Sequence, residues 1–76
     1  MTLRECCWRL RAPSGRVLMC SIYENNADLD VHVTFNEAEV LFSRRTFEIG
    51  LAREIAAEWR MVLLAKPGFT EILDGR

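Results

Sequence analysis

The apolar residues of this chain change period once, near Glu48, and that change sets the class of fold open to it. Before it, apolar residues recur at every second position. "LDVHVTF" alternates without a break, with Leu29, Val31, Val33 and Phe35 on one side and Asp30, His32 and Thr34 on the other. Such alternation marks a strand with one buried face. After the change, Ala52, Ile55, Ala56, Trp59, Val62 and Leu63 share one stripe at helical spacing, while Arg53, Glu54, Glu58 and Arg60 lie off it. "KPG" at 66–68 ends that helix, because proline cannot continue it.

Turn chemistry divides the first half. In "APSGR", Pro13 pre-sets the first turn position and Gly15 can take a left-handed conformation. A three-residue loop, Pro13 to Gly15, sets Ala12 opposite Arg16. Leu10 then faces Leu18, Trp8 faces Cys20 and Cys6 faces Ile22, all on one apolar side, with Cys7, Arg9 and Arg11 on the other. A loop over Glu24 to Ala27 would place Ile22 opposite Leu29 and Cys20 opposite Val31. "NEAE" is the next loop, and "VLFSRRT" a fourth strand with Val40 and Phe42 inward. "FTEIL" offers Phe69, Ile72 and Leu73 to the core edge. The expected fold is α+β: an antiparallel four-stranded meander (ββββα) with one long C-terminal helix across one face, forming a single small domain over 1–76.

With 76 residues, a core can form but stays small. One helix rarely covers four strands, so apolar surface is expected to be left over. No run approaches the roughly 20 apolar residues that span a bilayer, and the charged start "MTLRECC" does not read as a signal peptide. The expected compartment is the cytoplasm, where thiols stay reduced. A net charge of −1 does not advertise nucleic acid. The charge is uneven, however. Arg4, Arg9, Arg11 and Arg16 face Glu5 alone near the start, and residues 17–42 carry only acidic groups.

The three cysteines do not make a metal site or a disulfide framework on this reading. Cys6 and Cys7 are adjacent, and neighbours in a strand point to opposite faces. His32 is the only histidine and falls two strands from Cys7. Structural zinc needs four converging ligands, and Cys6 and Cys20 lie diagonally, too far apart for a disulfide. Cys6 and Cys20 read as small buried hydrophobes, and Cys7 as a thiol on the open face near Arg9. Glu54 and Glu58, one turn apart, read as a solvated face. No phosphate loop, nucleophile elbow or other catalytic signature is present, so no enzyme, cofactor or metal is expected.

Association remains. The open sheet face carries Cys7, Arg9, Arg11, Val17, Met19, Tyr23, His32, Leu41 and Arg45, and the helix back carries Ala57, Met61 and Leu64. Apolar patches rimmed by charge often mark contact sites, and small domains gain stability by oligomerising. The expected role is a non-enzymatic protein-interaction module, with another protein or a second copy as partner. The alternative is single-stranded nucleic acid held by arginines on the sheet, although the register turns Trp8 inward and leaves Tyr23 as the outward aromatic. The strands followed by a helix ending "LLAKPGF" resemble several small bacterial domains, the WGR domain among them. The Trp-Gly-Arg element that names that family is absent, and no functional residue carries over.

Overall fold

The computed structural model describes residues 1–36 and 38–73; Glu37, within the "NEAE" loop, and 74–76 lie outside the described residues. The chain runs β1 (Thr2–Arg11), β2 (Val17–Asn25), β3 (Asp28–Phe35), β4 (Glu39–Thr46), α1 (Ile49–Leu64) and a short β5 (Thr70–Glu71). The sheet order is β4-β3-β2-β1-β5, and every described pairing is antiparallel. The four-stranded meander followed by a helix is therefore the observed architecture. The fifth strand was too short to leave a periodic trace. It extends the sheet beside Leu10 and Arg11, and the Ile72 amide donates to the Arg9 carbonyl at 2.9 Å.

The first hairpin forms as its turn residues require. The Ala12 amide donates to the Arg16 carbonyl and the Gly15 amide to the Ala12 carbonyl, both at 2.8 Å. Gly15 takes φ 91°, a left-handed value with no steric cost for glycine. Leu10 pairs with Leu18 and Trp8 with Cys20. Beyond Trp8 the expected register fails. Cys6 pairs with Ser21 and Glu5 with Ile22, so Cys7 is the extra residue of a β-bulge. The bulge exchanges the two sulfurs: Cys6 is exposed, while Cys7 is half-buried against the core. It also turns Glu5 to the helix side, where Arg53 meets it.

The second hairpin is tighter than expected. Asn26 and Ala27 alone make the turn, with Asn26 at φ 60°, a conformation asparagine tolerates better than most residues. Ile22 therefore pairs with Val31 and Cys20 with Val33, two positions from the expected partners. An even shift leaves each residue on its own face, so the core is preserved.

In the third hairpin a bulge at Leu41 separates Phe42, opposite Val33, from Val40, opposite Thr34. Val40 accordingly lies on the open side with Thr34 and does not point inward as the alternation suggested.

The core lies between α1 and the sheet. Leu10, Ile22, Val31, Val33 and Cys20 are fully buried, and Ala52, Ala56 and Leu63 bring the helix onto them. Each such aliphatic side chain contributes about 1.5–3 kcal/mol by leaving water. Trp8 joins this layer and donates its indole N–H to the Ala56 carbonyl at 2.7 Å, locking β1 to the helix. Two helix positions differ from expectation. Val62 is exposed, and Leu64 packs half-buried against the core cluster and so leaves the helix back. Past the helix, Gly68 takes φ 86° close over Pro13, where an added Cβ would lie 2.7 Å from the ring Cγ. The helix exit thus rests on the first hairpin turn and delivers β5 to the edge of β1.

Candidate interaction surface

The expected surface residues divide between two sides of the molecule. Arg9 pairs with Met19, Arg11 with Val17, His32 with Ser21, and Tyr23 with Asp30, which pairs in turn with Arg45. These share the open face. Ala57 and Met61 are exposed on the helix, beyond the sheet, so no single site can include both groups. Cys7 belongs to the helix side and Leu64 to the edge of the core.

The open face is knitted together. Tyr23 and His32 rings lie 5.0 Å apart. The Arg45 guanidinium donates to Asp30 at 3.2 Å, and the Thr34 hydroxyl donates to the Met19 carbonyl at 3.4 Å. Ser21, Asp30 and Thr34 are buried beneath their larger neighbours. Val17, Met19, Tyr23 and His32 are each only partly exposed.

Of the sheet arginines in the alternative reading, Arg4 and Arg45 are held in ion pairs, as are Arg53 and Arg60 on the helix. Arg4 pairs with Glu24, Arg45 with Asp30, Arg53 with Glu5 and Arg60 with Glu71. Trp8, the aromatic beside Arg9, is buried.

The surface the sequence did not single out is the β4 edge. Seven of its eight residues are exposed; only Thr46 is buried. Val40 is 50% exposed, Leu41 37% and Phe42 45%, and Val62 on α1 is 55% exposed. Phe42 contacts Trp59 at 5.8 Å between ring centroids, which ties the edge to the helix. Leu51 and Phe47, near the helix start, are also exposed. A cleft of about 380 Å³ opens beside the end of β4, with Arg44, Leu51, Glu54 and Glu58 in its walls. The signal available in sequence was topological: β4 closes the meander, so it is an edge, and the helix is narrower than the sheet.

A second groove, of about 260 Å³, runs between β1 and the helix past Glu5, Cys7, Trp8, Arg53 and Arg60. The Arg53 fork donates to both Glu5 carboxylate oxygens, at 2.9 and 3.2 Å, and holds that carboxyl below the usual glutamate range. Arg60 does the same to Glu71. Among the described residues, no grouping of three or more His, Cys, Asp or Glu could hold a metal ion. No helix of the described residues is long and apolar enough to cross a membrane.

The two lowered carboxyls make a pH prediction. A depressed folded-state pKa means the unfolded chain takes up protons first as pH falls. The stabilisation is complete above the ordinary glutamate range, about 4.3, and is lost as pH drops through the depressed folded values. The E5Q/E71Q double variant lacks this term. Its urea midpoint should lie below that of the native chain near pH 7, and the gap should close as pH falls below the ordinary glutamate range. A gap that widens in acid would contradict the assignment.

No family model matches the chain, and no curated protein or solved structure matches it either.

Proposed function

We propose that this chain is a non-enzymatic protein-interaction module whose simplest partner is a second copy of itself, docked through β4. The observation that carries the reading is an outermost strand that presents Val40, Leu41 and Phe42 to solvent. An edge strand offers a row of backbone donors and acceptors ready to pair. Eight residues extend it over about 27 Å. Antiparallel pairing of two β4 strands is naturally two-fold, the commonest symmetry of soluble oligomers. It also brings the Glu39 end of each strand beside the Arg44 end of the other, so charges of opposite sign meet in either half.

The bulge at Leu41 and the neighbouring Arg44 and Arg45 are equally devices that keep an edge strand single. The oligomeric state therefore decides the matter. Size-exclusion chromatography with light scattering should show the mass rising with concentration from 8.8 kDa towards twice that value. A constant 8.8 kDa at the highest attainable concentration would remove the self-associating form and leave β4 available only to a different protein.

A further inference from the structure

The bulge in β1 does more than exchange the faces of Cys6 and Cys7. Cys7 is the extra residue of the bulge and is bonded directly to Trp8, whose partner across the ladder is Cys20. The bulge therefore places Cys7 next to the Trp8–Cys20 pair, and a disulfide can span about 4.4–6.8 Å between Cα atoms. Cys7 packs against the core cluster to which Cys20 belongs, on the helix side of the sheet. Cys20 is fully buried, whereas Cys7 is partly exposed and lines the groove between β1 and the helix with Arg53 nearby. The pair thus has one accessible sulfur and one sheltered sulfur near it.

We infer that Cys7 and Cys20 form an oxidisable dithiol, in which Cys7 reacts with a hydroperoxide and Cys20 resolves the product to an intramolecular disulfide. The Cys7 thiolate attacks the terminal oxygen of the hydroperoxide. The S–O bond forms, the O–O bond breaks, and the alkoxide or hydroxide leaves and takes up a proton. Cys7 is then a sulfenic acid. The Cys20 sulfur attacks the Cys7 sulfur, the S–S bond forms, the S–O bond breaks, and hydroxide departs with the Cys20 proton as water. In sum, two thiols and one hydroperoxide give a disulfide, an alcohol or water, and a further water. The division of labour follows the environment. The hydrogen bond from Cys20 holds the Cys7 thiol below its ordinary value, and that same bond together with burial pushes Cys20 up, so it keeps its proton. A thiolate in an accessible groove is the reactive form. This site is separate from β4 and does not depend on self-association.

The test treats the folded full chain with hydrogen peroxide, blocks remaining thiols with iodoacetamide and maps tryptic fragments by mass. The native chain should lose two of its three thiols, with the fragment bearing Cys7 joined to the one bearing Cys20 and the pair lighter by two hydrogens. In C6S the only intramolecular disulfide available is Cys7–Cys20, and it should form undiminished; in C7S no link should form. Dithiothreitol should restore all three thiols to the native chain. The link should form more slowly in urea, where the bulge no longer holds the sulfurs together. The inference is overturned if C6S keeps both thiols, if a link persists in C7S, or if unfolding accelerates the link. The comparison of C6S in buffer and in urea stands even if C7S fails to fold.

Discussion

The W8A variant should be largely unfolded or close to it at room temperature. Among the described residues, Trp8 is the aromatic side chain of the buried core, at 6% exposure, and its indole N–H bonds the helix backbone at Ala56. Truncating a buried tryptophan costs about 3–5 kcal/mol through lost transfer energy and the cavity left behind. A small domain has about 5 kcal/mol or little more to lose. W8F separates the two contributions. It keeps most of the apolar volume and removes the donor, while the Ala56 carbonyl keeps its amide partner within the helix ladder. Its cost should be about 1 kcal/mol. Urea unfolding followed by circular dichroism checks both variants. A W8A midpoint close to that of W8F would mean that the core tolerates the cavity and that Trp8 is not its keystone.

The second large effect concerns association. The V40K/L41K double variant places two ammonium groups on the exposed stretch of β4, one on the open-face residue and one at the bulge. Lysines on an edge strand oppose pairing with a second strand, and the few central hot spots of an interface carry about 2 kcal/mol or more when altered. Self-association should weaken by about tenfold or more. Stability should change little, because both side chains are substantially exposed in the monomer. M61K is the control. Met61 is 69% exposed on the helix, away from β4, and its replacement should leave the association unchanged. Loss of association in M61K but not in V40K/L41K would move the interface to the helix back.

Much of this architecture was legible in the order of the residues. The change of period near Glu48 separates strands from helix, and "APSGR" sets the first hairpin, including the Trp8–Cys20 and Leu10–Leu18 pairs. Patterning then failed at the bulges, for a definite reason. Period two detects a slip only when it would bury a polar side chain or expose an apolar one. Cys6 and Cys7 are the same residue, so exchanging their faces changed nothing that the alternation could register. At Leu41 the neighbours Val40 and Phe42 are also apolar, and the extra residue was hidden in the same way. The two-position shift between β2 and β3 left no trace because an even shift conserves both faces. The candidate surface fared less well than the fold. Alternation says which face a residue occupies, but edge exposure depends on where each strand lies in the sheet and how far the helix reaches across it.

Those considerations direct attention to β4. Backbone hydrogen exchange by mass spectrometry, on the native chain at a low and a high concentration, reads association and location together. If two copies pair through this strand, amides within 39–46 should exchange more slowly at the higher concentration, while those of the β2 interior, already paired on both sides, stay the same. V40K/L41K should abolish the difference. Exchange in 39–46 that is identical at both concentrations, together with a constant monomer mass, would contradict pairing through β4.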